Sequence, residues 1–369
     1  MSDTKETNMS PALPNEVVHP RARTDNTSVS DASRRNSKPS RPIPTMGFPA
    51  LWYKVARRFN RNVNPPKLSK NEQDILAAKA SVKYSREQID ICRNLSIVFI
   101  GVKGDAATTT SMVNSSSIFA NDTRSLVYGA DFNPASGTAG ARLGKDYGQT
   151  VSIQKFAKIV DKLRDDRRAV NATLRPTRYG VRVLSADNYT DIPGEQYGTT
   201  TSVMLEVLTQ NCDYLFLDSP NDITTPAARA ILQAVDMIVF TANVGERDSL
   251  RLLRVSMDTV RELGYRNKVV NSVVAISNTQ KGATIEDYKK YLGHVDLKHE
   301  PTGDLMPGEF DGQMILIPHD PVIALNDEVD IEAYRYQTVQ AYRDLNIAIF
   351  EQAIRRKFEI SQYAPKTSH

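Results

Sequence analysis

The chain has 369 residues, 40% of them hydrophobic, and a formal net charge of +4 from 47 lysines and arginines and 43 aspartates and glutamates. It has no apolar run of the ~18 residues that a membrane-spanning helix requires, and its N-terminus lacks the apolar core of a secretory signal, so we expect a cytoplasmic protein. The two cysteines, Cys92 and Cys212, exclude a disulfide framework or a zinc cluster, and we expect both to be buried thiols. The five histidines show no spacing typical of a metal site, which leaves Mg²⁺ as the metal to consider.

Residues 1–45 are rich in serine, threonine, asparagine, proline and arginine and contain no aromatic residue. Such a segment cannot bury enough apolar surface to fold, so we predict a disordered tail. Residues 1–70 contain 13 lysines and arginines but only 5 aspartates and glutamates. Non-specific DNA binding would use such charge. Here, however, the charges are interspersed with serine and proline rather than laid on one face, so DNA is the less expected partner.

Residues 46–90 are predicted to form a basic amphipathic helix followed by a linker helix over residues 69–84. Between Phe48 and Arg61, apolar residues including Trp52, the only tryptophan, recur at helical spacing, and lysines and arginines occupy the other side. This pattern is typical of a helix that docks on a partner or on a membrane surface, which here would be the inner face of the membrane. The alternative is that the apolar stripe packs on the protein's own domain, and the pattern does not decide between the two.

From residue 91 to residue 360 the sequence alternates short apolar runs with helical patterns, which indicates repeated strand–helix units. We predict an α/β fold with a doubly wound, mostly parallel sheet that binds ligands at the carboxyl ends of its strands. Residues 361–369 are expected to form a C-terminal tail. The predicted strands cover residues 95–100, 125–130, 181–185, 214–218, 236–241, 269–277 and 314–317, and the predicted helices cover residues 111–120, 152–163, 200–209, 226–234, 248–263, 285–292 and 338–357.

The first predicted strand ends at Gly101 and is followed by a loop of small residues and by Thr108-Thr109-Thr110, which opens a helical pattern. A strand, a short loop and a helix N-terminus together bind phosphate, because backbone N–H groups point outward and the helix dipole favours an anion. The usual pattern G-x-x-x-x-G-K-[ST] is matched here at only one or two of its four positions. The loop by itself is therefore a weak indication of a nucleotide site.

The loop VKGDAATTTS resembles the deviant Walker A loop K-G-G-x-G-K-T-T of the ParA/MinD family of P-loop ATPases. The resemblance implies that Lys103 is the signature lysine, which in relatives reaches the nucleotide across a dimer, and that Thr109 coordinates Mg²⁺. Asp105, Ala107 and Thr108 stand where the family has glycine, glycine and the phosphate-binding lysine. The nucleotide-binding residues that the resemblance implies in this loop are Gly101, Gly104, Ala107, Thr108, Thr109 and Thr110.

The resemblance extends over residues 92–355. The segment GADFNP is similar to the family's D-x-D-P switch segment, which makes Asp131 its first aspartate and places Asn133 where relatives carry the aspartate that orients the attacking water. An amide cannot act as a carboxylate base, so Lys103, Asp131 and Asn133 are the candidates for a degenerate catalytic set.

NCDYLFLDSP resembles the family's Walker B strand and implies that Asp218 holds Mg²⁺ through water, together with the Thr109 hydroxyl. The alternative is an aspartate at a strand end that caps the next turn. The strand end ILIPHDP implies contacts of Pro318 and His319 with the nucleotide base.

Three substitutions in the loop act against ATP binding. Thr108 supplies a hydroxyl where lysine would supply a charge, Ala107 places a Cβ against the phosphate, and Asp105 adds a negative charge. We therefore expect a pseudo-ATPase, with ATP or ADP and Mg²⁺ bound weakly or not at all.

The C-terminal part of the resemblance is nearest the MinD-like proteins associated with type VII secretion in actinobacteria. It implies a scaffold or regulatory subunit of a type VII secretion-like or conjugation/plasmid-maintenance apparatus, as a homodimer or as a heterodimer with an active paralogue. The alternative is a weak ATPase that switches between a monomer and an ATP-bound dimer to position or partition plasmid, chromosome or secretion cargo.

Overall fold

The computed structural model describes residues 67, 86–101, 107–133, 138–143, 151–186, 194–245, 248–280, 282–285, 287–288, 313–325 and 328–363. The predicted tail over residues 1–45 and the helices predicted over residues 48–61 and 69–84 lie outside the described residues. The same is true of Lys103, Gly104 and Asp105 in the phosphate loop, and of most of the helix predicted over residues 285–292.

The centre of the fold is an eight-stranded sheet. Its strands are β1 (Leu95–Ile100), β2 (Val127–Asp131), β3 (Val151–Ser152), β4 (Arg182–Ser185), β5 (Tyr214–Asp218), β6 (Met237–Asn243), β7 (Val273–Thr279) and β8 (Gln313–Pro318). They lie in the order β3-β4-β2-β5-β1-β6-β7-β8, and every neighbouring pair runs parallel. The strand that precedes the phosphate loop, β1, is therefore an interior strand of the sheet.

The described helices are α1 (Arg86–Ile91), α2 (Thr108–Thr123), α3 (Ala139–Arg142), α4 (Ile153–Leu163), α5 (Arg167–Thr173), α6 (Gly194–Asn211), α7 (Pro226–Ala234), α8 (Ser249–Val260), α9 (Arg266–Val270), α10 (Pro321–Leu325) and α11 (Tyr336–Tyr363). A π-helical turn, Arg261–Tyr265, joins α8 to α9. Among the described helices, none is both long enough and apolar enough to span a membrane.

Both faces of the sheet are covered, as the alternation of side chains along β1 shows. Ile97 and Phe99 belong to a buried cluster that contains residues of α2 and α11, whereas Val98 and Ile100 belong to a second cluster that contains residues of α4, α6, α7 and α8. Successive side chains of a strand point to opposite faces, so a continuous apolar run such as LSIVFI is what a strand with two covered faces requires. The predicted doubly wound parallel fold is confirmed.

The strand predicted over residues 269–277 begins too early, and this part of the prediction is wrong. Val269 and Val270 are the last residues of α9, and Val269 is fully buried. The backbone N–H of Ser272 donates to the carbonyl of Val269 at 3.2 Å, which closes a turn before β7 starts. One apolar run of sequence therefore serves two elements, because a short buried helix and a buried strand are equally hydrophobic.

Several short elements have no counterpart among the predicted ones. They are α1, β3, α3, α5, α9 and α10, each of seven residues or fewer. Helices of this length hold too few residues to show a helical hydrophobic period, and β3 has only two residues. Ser152, predicted as the first residue of a helix, is instead the N-cap of α4, and its hydroxyl accepts from the backbone N–H of Lys155 at 3.2 Å. Cys92 and Cys212 are buried thiols, as predicted.

Residues 328–335, here called the strap, connect α10 to α11 and reach across to α3. The backbone N–H of Val329 donates to the carbonyl of Arg142 at 2.8 Å, and that of Ile331 donates to the hydroxyl of Tyr179 at 3.0 Å. At the end of the strap, the backbone N–H of Arg335 donates to the buried carboxylate of Asp320 at 2.8 Å. The strap therefore fixes α3 to the C-terminal part of the domain.

Candidate functional site

The candidate site lies where the carboxyl ends of the central strands meet the N-terminus of α2. Gly101 follows β1 and is buried, and α2 begins at Thr108. Ala107 is the N-cap of α2, with φ 60° and ψ 26°, a left-handed conformation that a residue with a Cβ rarely adopts. This is the position at which the resemblance places a glycine, and the backbone has kept the conformation that glycine favours.

The three threonines at the start of α2 are each bound to a different neighbouring element. Thr241 of β6 donates its hydroxyl proton to the carbonyl of Ile100 at 3.2 Å, so in its contact with Thr108 Oγ1, 3.0 Å away, Thr108 is the donor. Thr109 donates to Oδ2 of Asp218 at the end of β5. Thr110 Oγ1 accepts from Nη1 of Arg142 in α3 at 3.0 Å.

Two buried aspartates lie side by side at the ends of adjacent strands. Asp131 of β2 and Asp218 of β5 are directly paired in the register of the sheet, and their exposed fractions are 0% and 1%. Burial raises the pKa of Asp131, although its carboxylate accepts from the backbone N–H groups of Asn133 at 3.0 Å and Ala139 at 3.1 Å. Burial, followed by the negative charge of Asp131, raises the pKa of Asp218 well above 3.8. The pair therefore resists carrying two negative charges.

The donor set at Thr109 and Asp218 fits Mg²⁺. The Thr109 hydroxyl donates a hydrogen bond to Asp218, which leaves the lone pairs of its oxygen available to a cation. A cation beside Asp218 would favour the ionised carboxylate, whose pKa is otherwise raised by burial. Within the described residues no group of three or more histidines, cysteines, aspartates or glutamates could hold a metal.

Asn133 and Tyr197 complete the surroundings of the aspartate pair. Asn133 is 8% exposed, and its backbone N–H donates to the Asp131 carboxylate. Burial and the charge of Asp131 raise the pKa of the Tyr197 phenol, so this side chain of α6 lies near the same carboxylate. Tyr197 carries no motif that sequence reasoning could have used to place it there.

A cleft of about 280 Å³ extends from the start of α2 to the ends of β6, β7 and β8. It is lined by Ala107, Thr110, Arg142, Asn243, Ser277, Asn278, Ile317, Pro318, Asp320, Ile323, Ala324 and Tyr342. Pro318, one of the two predicted base contacts, lies on this cleft. His319 instead lines a second cavity of about 860 Å³, beside Arg335 and Tyr336, and its Nδ1 is 3.3 Å from Oδ1 of Asn278.

Most of the polar residues around this cleft were missed by sequence reasoning. Arg142 lies in a glycine-containing stretch that resembles an ordinary loop, and only its contact with Thr110 reveals it. Thr241, Asn243 and Ser277 are polar residues at the ends of apolar strands. Their one available signal is position, because ligands of parallel sheets bind at the carboxyl ends of strands.

A scan against protein-family models finds no match, and a search of curated proteins finds no similar sequence. Solved structures with a similar fold include the ParA family ATPase from Chlorobium tepidum, with a TM-score of 0.49 and 12% identity over 71% of this chain and 98% of that one. Apo McdA from Cyanthece has a TM-score of 0.47 and 13% identity over 72% and 98% of the two chains. The MinC:MinD cell division protein complex of Aquifex aeolicus has a TM-score of 0.44 and 19% identity over 72% of this chain and 96% of that one. At these values the likeness assigns no activity to this chain.

Proposed function

We propose that this chain is a ParA/MinD-like P-loop protein whose nucleotide site does not hydrolyse ATP, and that it acts as a scaffold or regulatory subunit of a larger apparatus. The observation that carries the proposal is the hydrogen bond from Thr108 to Thr241, 3.0 Å between the hydroxyl oxygens. At the position of the phosphate-binding lysine, the chain has a neutral side chain whose one proton is directed at β6. It offers a terminal phosphate no charge, whereas lysine offers one.

Two further residues support the loss of hydrolysis. Ala107 holds φ at 60° with a Cβ attached, a conformation that costs a non-glycine residue about 1–2 kcal/mol and places the methyl group at the mouth of the phosphate site. Asn133 stands at the position of the water-orienting aspartate, and an amide cannot accept a proton from water. Both changes act in the same direction as the loss of the lysine.

As a scaffold, the chain would form a homodimer or pair with an active paralogue, in a type VII secretion-like or conjugation/plasmid-maintenance apparatus. The segment from Phe48 to Arg61 would dock on the machine or on the inner face of the membrane. Trp52 is the only tryptophan of the chain and reports on this directly. A blue shift of its fluorescence with anionic vesicles supports membrane docking, and an unchanged spectrum supports docking on protein.

The experiment that tests the proposal measures ATP hydrolysis and ATP binding, with Mg²⁺, for the natural protein and for Thr108→Lys. The proposal predicts no hydrolysis by the natural protein and ATP binding at least about tenfold tighter in the variant, because one charge-assisted phosphate contact is regained. Ala172→Lys is the matched control, since it adds the same charge to an exposed position of α5. Hydrolysis by the natural protein that Asp218→Ala abolishes would overturn the proposal.

The second candidate function is a weak ATPase that switches between a monomer and an ATP-bound dimer. The contact between Thr109 and Asp218 supports it, because these are the two residues that the resemblance assigns to Mg²⁺. Light scattering separates the two functions. A switch predicts that ATP with Mg²⁺ converts monomer to dimer and that Asp218→Ala stays monomeric, whereas a scaffold keeps one oligomeric state with or without nucleotide.

A further inference from the structure

Arg142 is the one basic residue among the described residues that line the cleft. It is half-buried, and in the part of the chain that the structure describes its guanidinium contacts the Thr110 hydroxyl and forms no ion pair. Its backbone is fixed on both sides, because its N–H donates to the carbonyl of Thr138 at 3.0 Å and its carbonyl accepts from Val329 of the strap. A guanidinium in this position is a preorganised cation at the N-terminus of a sixteen-residue helix.

The opposite end of the cleft is suited to a flat heterocycle. Ile317, Pro318 and Ile323 are apolar lining residues, and Asn243, Ser277 and Asn278 bring amide and hydroxyl groups to the ends of β6 and β7. Asn278 adopts φ 59°, and its Nδ2 donates to Oδ1 of Asn243 at 2.6 Å, which fixes both amides. Apolar walls with a few fixed polar groups are the usual composition of a small-molecule site.

Ser277 is the second observation that points to a ligand. It lines the cleft, is 6% exposed, and its hydroxyl has no hydrogen-bond partner among the described residues. A buried hydroxyl without a partner is costly, so each one in a native structure calls for an explanation. A polar edge of a bound heterocycle would satisfy it.

We propose that this cleft binds a nucleotide through its sugar-proximal phosphate, with Arg142 as the cation that stands in for the missing lysine and Ser277 contacting the base, so that a nucleoside monophosphate is a sufficient ligand. The proposal rests on the proposed function in one respect, because it takes the terminal-phosphate position as disabled. Thr110 and Arg142 lie on the cleft, whereas Thr108 and Thr109 direct their hydroxyl protons at β6 and β5. A cleft of about 280 Å³ is also at the small end of ligand sites.

The experiment measures the binding of AMP, ADP and ATP by calorimetry to the full chain, in EDTA and in Mg²⁺. We expect the three affinities in EDTA to agree within about threefold, since the described residues of the cleft offer the β- and γ-phosphates no cation besides Arg142. Arg142→Gln should weaken all three at least about tenfold, and Arg142→Lys should recover part of the loss, because lysine keeps the charge but not the planar fork. Arg175→Gln, which removes an exposed arginine of no described ion pair, is the matched control and should leave the affinities unchanged.

Ser277→Ala gives an independent test if Arg142→Gln folds poorly. It should weaken AMP and adenosine but leave inorganic phosphate binding unchanged, whereas Arg142→Gln should weaken AMP and inorganic phosphate but not adenosine. Two outcomes overturn the inference: no AMP binding at millimolar concentration, or ATP binding at least about tenfold tighter than AMP in EDTA with Arg142→Gln at the natural affinity. The first outcome leaves the proposed function standing, because that function is overturned by ATP hydrolysis that Asp218→Ala abolishes.

Discussion

The hydroxyl of Thr108, at the first position of α2, is 3.0 Å from the hydroxyl of Thr241 in β6. Thr241 in turn donates a hydrogen bond to the carbonyl of Ile100. The residue that would bind phosphate in a typical P-loop is thus part of a hydrogen-bonded chain that links α2 to two central strands. A lysine at this position would carry its donors at the end of a longer stem, so it would not make the same contact. The Thr108 hydroxyl therefore has a hydrogen-bond partner within the protein.

Ala107→Gly is expected to stabilise the protein. The residue has φ 60°, so glycine removes about 1–2 kcal/mol of strain and loses about 0.4–1 kcal/mol through greater freedom of the unfolded chain. The net gain should appear as a small increase in the melting temperature. Ala172→Gly is the matched control, because Ala172 is exposed in α5 and glycine there should destabilise by about 1 kcal/mol. Equal losses for the two variants would contradict the left-handed conformation of Ala107.

Asp218→Asn is expected to stabilise the protein at neutral pH in EDTA. The pKa of Asp218 is raised in the folded state, so above pH 3.8 the native state binds more protons than the unfolded state and the free energy of unfolding falls as pH rises. The amide carries no charge and avoids this loss. The gain should appear as a higher melting temperature at neutral pH and should shrink as the pH approaches 4.

Asp131→Asn is the comparison for that prediction. The two oxygens of Asp131 accept from the backbone N–H groups of Asn133 and Ala139, and an amide has one acceptor oxygen instead of two. This variant should therefore be less stable than Asp218→Asn throughout the pH range. Thermal melts of both variants from acid to neutral pH test the pair together, and a melting temperature of Asp218→Asn that stays below the natural protein at neutral pH would contradict it.

Arg343→Met is expected to destabilise the protein by about 3–5 kcal/mol, because it leaves a carboxylate between α2 and α11 without its partner. Arg343 is 0% exposed, and its guanidinium donates to Asp122 through Nε at 2.8 Å and Nη2 at 3.2 Å. The double variant Arg343→Met with Asp122→Asn should recover much of this loss, since no buried charge remains. Urea denaturation of the natural protein, of Arg343→Met, of Asp122→Asn and of the double variant gives the coupling energy between Arg343 and Asp122. That energy should vanish only if the two side chains do not pair in solution.

Tyr179→Phe is expected to loosen the strap. The Tyr179 hydroxyl accepts from the backbone N–H of Ile331 and donates to Glu332, and Arg178 forms ion pairs with Asp330 at 3.5 Å and Glu332 at 3.1 Å. Without the hydroxyl, hydrogen exchange should become faster in residues 328–335 and in α3, which the strap contacts through Val329. Tyr128→Phe, which removes a hydroxyl bonded to Asn171 at 3.1 Å, is the matched control and should leave exchange in the strap unchanged. Unchanged exchange in both variants would show that other contacts hold the strap.

Seven of the eight described strands overlap strands predicted from the sequence, and only the two-residue β3 has no predicted counterpart. Strands such as β1 and β5 are buried on both faces, so they must be continuous apolar runs, and runs of that kind are visible without a structure. The same local character allowed Thr109 and Asp218 to be paired in advance, since each belongs to a short motif and the structure places them in contact. The prediction failed at β7, where helix and strand share one apolar run.

The residues that surround Thr109 and Asp218 could not be predicted, because they come together only in the folded chain. Arg142 meets Thr110 from 32 positions along the chain, and Thr241 meets Thr108 from 133 positions away. Neither arginine nor threonine has a local pattern that specifies such a partner, because the contact depends on the order of the strands rather than on the neighbouring residues. The left-handed conformation of Ala107 and the Ser277 hydroxyl, which has no partner among the described residues, are likewise set by the fold and not by a local sequence pattern. Hydrophobic periodicity encodes which residues are buried, whereas the chemistry of a site depends on which distant polar groups the folded sheet brings together.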